Sequence, residues 1–162
     1  MKIEETWSYD APADRVFEML LDPKFQQAKC EATGALSSTV DVRTEPPVEV
    51  IETRREMSTA GLPDNVAKIV GKSLKIIEIQ LWGQPEADGV RTADLDVSLG
   101  GLPVNYVGKL TMTPQGATTT MHLVGDLKAR IPLVGGRVES AAAPAISNGV
   151  RIEAETGARY LA

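Results

Sequence analysis

The chain has 162 residues, 43% of them apolar, which suits an ordinary globular protein with one core and argues against a disordered chain. Its net charge of −5 gains nothing from a phosphate backbone, and only two Trp, three Tyr and two Phe are present to stack on bases, so nucleic acid is not expected as a partner. One Cys and one His exclude an intrachain disulfide framework and a metal site built from several Cys or His.

Residues 1–10 hold no apolar run ahead of a small-residue cleavage site, so no signal peptide is expected there. Instead, residues 2–10 alternate. Ile3, Glu5, Trp7 and Tyr9 share one face, the pattern of a half-buried strand. Ala11-Pro12 opens a helix whose apolar side carries Val16, Phe17, Leu20 and Leu21, and Asp22-Pro23 ends it. A second short helix follows over 24–32 and stops near Gly34, a left-handed cap. Period two returns at 36–45, with Leu36, Ser38, Val40 and Val42 on one face, and Pro46-Pro47 turns the chain into a strand at 48–57. The inward face of that strand is not decided by its pattern.

Leu62, Val66, Ile69 and Val70 sit at helical spacing behind Asp64, a candidate N-cap, and make a short amphipathic helix between two strands. In residues 73–82, Ile77, Ile79 and Leu81 form one face, and Leu74, Ile76, Glu78, Gln80 and Trp82 form the other; pattern leaves the inward one open. Strands at 90–99, 104–113 and 118–130 each pair a dry face with a wet one, the mark of antiparallel sheet. A long helix over 134–160 ends the chain. Its stripe of Val138, Ala142, Ala145, Gly149, Ile152 and Thr156 is small-sided, and Arg151 to Glu155 is an opposite-charge pair on its wet side. Pro144 inside this segment predicts a kink or two helices in series.

The order of elements is strand, two short helices, a run of strands and one long helix. One antiparallel sheet must bury a face, and only the last helix is long enough to cover it. The expected fold is α+β: a curved antiparallel sheet of about seven strands around a long C-terminal helix, with residues 1–162 forming one domain. Where Ala142, Ala145 and Gly149 cross the trough, too little bulk fills it, so a cavity for an apolar guest is expected beneath them.

The stretch from Ala11-Pro12-Ala13 through Val16-Phe17, Leu20 and Asp22-Pro23 to Phe25 resembles the N-terminal signature of the START-like superfamily (SRPBCC, helix-grip). Leu62-Pro63 through Val70-Gly71, followed by the strand ending at Trp82, is a second similar stretch. Within that superfamily the chain looks like an uncharacterised bacterial branch, a domain-of-unknown-function family. Members of the superfamily include lipid carriers, plant hormone receptors, aromatic polyketide cyclases and co-chaperones. The resemblance implies a hydrophobic pocket between sheet and last helix.

The expected cavity lining is Trp7, Tyr9, Ile77, Ile79, Tyr106, Met112, Met121, Leu123, Ala145 and Gly149, with methionines giving adaptable contacts and tyrosine hydroxyls orienting a polar end. Leu62, Val66, Ile69 and Val70 are the expected lid, or else a crossover helix that plugs one end of the core. No catalytic set is complete. His122 and Asp126 share a strand face but stand about 13 Å apart, and that face is polar. Asp94 and Asp96 oppose an apolar face and look to water. Glu5, between Ile3 and Trp7, is a candidate buried carboxylate, as is Glu78 if its face turns inward. Gly71-Lys72-Ser73 lacks the first glycine of a P-loop because position 66 is Val66, and Ser147-Asn148-Gly149 lacks that of a nucleophile elbow because position 145 is Ala145. Cys30 reads as a small apolar residue on a helix.

These features predict a binding module for a hydrophobic or lipid-like small molecule, with no metal and no cofactor. The sequence also leaves open an enzyme of the polyketide cyclase or aromatase sort, using Glu5, Tyr9 and Tyr106, and a protein-interaction module using the helix at 62–70. No stretch of roughly 18 apolar residues exists to span a membrane, and a cytoplasmic location is expected, with room for transient contact with a membrane or a protein.

Overall fold

The computed structural model describes all 162 residues. Strand β1 (Lys2–Tyr9) leads into helices α1 (Ala13–Leu21) and α2 (Pro23–Ala32). Then come β2 (Ser37–Glu45), β3 (Val48–Ser58), α3 (Asp64–Val70), β4 (Ser73–Trp82), β5 (Arg91–Leu99), β6 (Val104–Gln115), β7 (Thr118–Ala129) and α4 (Gly135–Leu161).

The seven strands form one antiparallel sheet in the order β1-β7-β6-β5-β4-β3-β2. From β2 to β7 each strand is a neighbour of the next in sequence. Only β1 is out of order: it pairs with β7, Trp7 facing Met121 in register, which leaves the sheet open between β1 and β2. Helix α4 lies across the sheet against β1 and β7 and meets α2 on its other flank. This is the expected α+β arrangement of a sheet gripping a C-terminal helix.

Local chemistry explains the helix boundaries. The chain leaves α1 at Asp22, whose carboxylate accepts a hydrogen bond from the Lys24 amide at 2.9 Å while Pro23 occupies the first turn of α2. Gly34 follows α2 at φ +80°, the left-handed conformation that favours glycine. Asp64 is the first residue of α3 rather than its cap; the preceding position is Pro63, and no side chain caps that helix.

Alternation places the core. Ile3 and Tyr9 of β1, Ala93 and Leu95 of β5, Val104, Tyr106, Leu110 and Met112 of β6, and Met121, Leu123 and Leu127 of β7 are all buried. They meet Val16, Phe17 and Leu20 of α1 and Phe25 of α2 in one hydrophobic cluster. On β4 the inward face is the mixed one. Ile76, Glu78, Gln80 and Trp82 point into the fold, so Ile77 and Ile79 stand on the opposite face, beside the exposed Leu81. A contact with helix α1 decides what periodicity left open. Trp82 stacks edge-on to Phe17 with ring centroids 5.9 Å apart and is fully buried, so the even positions must turn inward. Leu36, expected at the start of the strand over 36–45, precedes β2 and is 64% exposed.

Pro144 neither breaks α4 nor divides it: one helix runs from Gly135 to Leu161. The proline is exposed. The carbonyl four residues back, deprived of its amide partner, belongs to Ser140, which is also exposed, so water can satisfy it.

Candidate functional site

A cavity of about 230 Å³ lies between the sheet and α4. Of its 25 lining residues 16 are hydrophobic, so the greater part of the wall offers an apolar guest nothing but packing. Ala142, Ala145 and Gly149 of α4 line it, and Ile146 and Val150 of the same helix line it too and narrow the space. Ala145 and Asn148 are exposed as well as lining, so the cavity reaches the surface beside the middle of α4.

Of the residues expected from sequence, Trp7, Tyr106, Leu123, Ala145 and Gly149 are in the wall. Tyr9, Met112 and Met121 are not; they are buried in the core, where the sheet meets the helices without a gap. Ile77 and Ile79 are excluded by the register of β4. None of Leu62, Val66, Ile69 and Val70 lines the cavity. Val66 is 5% exposed and borders a separate open groove between α3 and α4, while Ile69 packs on the core cluster.

One end of the cavity is polar. Lys29, on the buried side of α2, places its Nζ 3.1 Å from Glu78 Oε1 and 3.3 Å from Glu153 Oε2. Arg55 of β3 donates from Nη2 to Glu78 Oε2 at 3.4 Å. Gln80 donates to Glu78 Oε1 at 2.8 Å and accepts from Trp82 Nε1 at 2.8 Å. The Lys29 side chain is only 4% exposed, and Glu78 and Glu153 are each 13% exposed. All four charged side chains, with Gln80, line the cavity. Burial pushes the Glu78 carboxyl up, but Lys29 and Arg55 outweigh it and hold the group at about 2. For Lys29, burial pulls down and the two carboxylates pull harder in the other direction, so its ammonium stays charged beyond the usual lysine range.

Alternation and helical spacing carried signals for this cluster. Phe25, Gln26, Lys29 and Cys30 recur at i, i+1, i+4 and i+5, which puts a lysine on the buried face of α2. Glu78 and Gln80 share a face with Trp82. Glu153 follows Ile152 and stands one turn after Gly149. None of these pairings shows within a single element, and Lys29, Arg55 and Glu153 escape a reading made one element at a time.

The other titratable candidates are engaged elsewhere. Glu5 accepts a short hydrogen bond from the Ser147 hydroxyl, tying β1 to α4. The Tyr9 hydroxyl donates to the Glu153 carbonyl at 3.4 Å, and burial raises its pKa far above the usual tyrosine value. Tyr106 donates to the Ile3 carbonyl at 3.1 Å and is pushed up to about 12, chiefly by burial. His122 meets Glu4 at 2.8 Å on the outer face rather than Asp126, and Asp94 pairs with Lys109 at the surface. Cys30 is buried on α2, and burial raises its thiol pKa.

Several solved structures share this architecture. The aromatase/cyclase Zhui of Streptomyces sp. R1128 superposes with a TM-score of 0.65 at 14% identity, over 99% of this chain and 92% of that one. Human STARD10 gives 0.63 at 12% identity, over 98% of this chain and 64% of that one. Protein TTHA0849 of Thermus thermophilus gives 0.64 at 15%, over the whole of both chains. These likenesses establish a START-like helix-grip fold. By sequence, the uncharacterised proteins Rv0481c of Mycobacterium tuberculosis and Mb0491c of Mycobacterium bovis are 29% identical over 108 residues, which is 65% of this chain and 61% of theirs. No helix is long and apolar enough to cross a membrane. The family model described as a protein of unknown function, DUF2505, matches residues 4–161, and the chain belongs to that family.

Proposed function

We propose that the protein is a binding module for a small hydrophobic molecule, held in the cavity between the sheet and α4. One observation carries this reading: a largely apolar cavity of about 230 Å³ persists in the middle of an otherwise closely packed fold. Protein interiors seldom leave such space empty, because unfilled volume forfeits packing energy. A guest that buries eight methylenes there gains about 6 kcal/mol before the costs of association. The volume suits one ring or a medium-length chain rather than a two-chain lipid, since an engineered void of about 150 Å³ already takes benzene. The START-like neighbours support a ligand-holding role by analogy of fold.

The enzymatic reading has less support. Glu5, Tyr9 and Tyr106, the groups it would use, each spend a polar atom on a hydrogen bond within the protein, and both hydroxyls are held far from titration. The protein-interaction reading needs an exposed apolar face on α3, whereas Val66 is buried and Leu62, Ile69 and Val70 are half-buried. In our reading α3 plugs the core apart from the cavity, and the guest enters beside Ala145 and Asn148.

The test is native mass spectrometry of the protein after gentle purification, together with titration by an apolar fluorescent dye. A co-purifying small molecule, or saturable dye binding that Ala142→Trp abolishes without loss of fold, is the expected result. Dye binding unaffected by Ala142→Trp sinks the proposal.

A further inference from the structure

We infer that the guest's polar end is an uncharged oxygen, a hydroxyl or a carbonyl, seated against Arg55, and that the site discriminates against carboxylates and ammonium groups on otherwise identical chains. This rests on the binding reading above and names the chemistry of its ligand.

The inference begins with a charge balance. Two cations, Lys29 and Arg55, and two carboxylates, Glu78 and Glu153, form the polar end of the cavity, and their charges cancel. Each is largely withdrawn from water, with side-chain exposures of 4%, 11%, 13% and 13%. A guest bringing a further charge would leave one charge in this cluster without a partner, and low-dielectric surroundings make that expensive. A neutral head adds no such imbalance.

Hydrogen bonding sets the second condition. Arg55 makes one bond, from Nη2 to Glu78, and its Nε–H is buried with no acceptor in the protein. A buried donor left unmade costs free energy that an acceptor oxygen would recover. The Glu78 carboxylate does not supply it: Oε1 accepts from Lys29 and Gln80, and Oε2 accepts from Arg55 Nη2 alone. The missing group is therefore an acceptor that carries no charge, attached to an apolar body that follows the wall toward Leu123 and Ala142.

The experiment compares four eight-carbon probes at pH 7: 1-octanol, octanoate, octylammonium and n-octane. Binding is read by amide and side-chain chemical shifts of the full-length protein, with the Arg55 Nε–H resonance as the local reporter. The expected result is that 1-octanol binds at least tenfold more tightly than either ion, about 1.4 kcal/mol, and shifts the Arg55 reporter. Glu153→Gln, which leaves the cluster with one excess positive charge, should raise octanoate affinity at least tenfold relative to 1-octanol. Octanoate binding as tightly as 1-octanol to the unmodified protein, or an unchanged ratio in a folded Glu153→Gln variant, overturns the inference while leaving the cavity reading intact. If no probe, including n-octane, shifts the resonances of Leu123 and Ala142, both readings fall together.

Discussion

The Lys29 ammonium, on the second helix, lies 3.3 Å from the Glu153 carboxylate, on the last. The two residues are 124 positions apart, and the contact bridges one flank of the cavity. Glu78 meets the same ammonium from the sheet, so a single side chain ties α2, β4 and α4 together where the cavity would otherwise let the helix rise. This ties the fold to the site: the groups that fix α4 over the trough are also those that a guest would meet.

Removing the ammonium should therefore be costly. Lys29→Met keeps the apolar stem but leaves two largely buried carboxylates with Arg55 as their only nearby cation. Breaking a buried pair in this way costs about 3–5 kcal/mol. Glu153→Gln keeps an acceptor for Lys29 and should cost less. Urea unfolding monitored by circular dichroism gives both values, and a Lys29→Met loss below about 1 kcal/mol would show that the cluster does not hold the helix.

The same cluster sets a pH profile. The Glu78 carboxyl is depressed from 4.5 to about 2 in the folded protein, so between those values the unfolded chain binds more protons than the native one. Its contribution is complete above the unfolded value and is lost as the pH falls through about 2. Lys29 is shifted upward from 10.5, so its contribution is complete below that value and disappears only in strong alkali. From this pair, stability should be level across the neutral range and should fall in acid below about 4.5. In Glu78→Gln the acid slope should be shallower, which a series of urea midpoints from pH 2 to pH 7 would measure. Equal slopes in the two proteins would assign the acid loss to other carboxylates.

The fold was legible where one face of an element is dry and the other wet. β5, β6 and β7 alternate in that way, and the structure buries the faces that their sequences mark. β4 carries apolar residues on both faces, so periodicity gave no decision; the edge-on contact of Trp82 with Phe17, 65 residues away, makes it. The cavity was legible in the thin stripe of α4, yet Ile146 and Val150 at its border were not, because helical spacing marks the centre of a face better than its margins. The ion cluster draws one group from each of four elements. Its meaning exists only once they are assembled.

Two glycines of α4 should respond to alanine in opposite directions. A methyl group at Gly149 would meet nothing within 4 Å, and alanine favours a helix over glycine by about 1 kcal/mol. Gly149→Ala should therefore raise the melting temperature. At Gly157 the same methyl would collide with the Tyr9 ring and would stand 3.1 Å from the Met19 methyl, both buried. Overpacking of that kind costs about 1–3 kcal/mol, more than the helical gain. Calorimetry of the two variants checks the sign, and a stabilised Gly157→Ala would mean that Tyr9 can withdraw without loss.

Tyr106 separates a structural role from a chemical one. Its hydroxyl reaches past β7 to the Ile3 carbonyl of β1, and the backbone beneath is Gly108 and Gly125, paired with each other and with Ile3 in register. A methyl at Gly125 would lie 2.8 Å from the Tyr106 ring, so the glycine pair makes the floor on which the ring rests. Tyr106→Phe removes one buried hydrogen bond while the Ile3 carbonyl keeps its ladder partner, the Gly125 amide, so the cost is about 0.5–1.5 kcal/mol. Because the hydroxyl is committed to that carbonyl, the affinity for an apolar probe should change less than twofold. If Tyr106→Phe left stability intact and weakened binding tenfold, the hydroxyl would be a ligand contact and the polar end of the guest would lie at β6, not at Arg55.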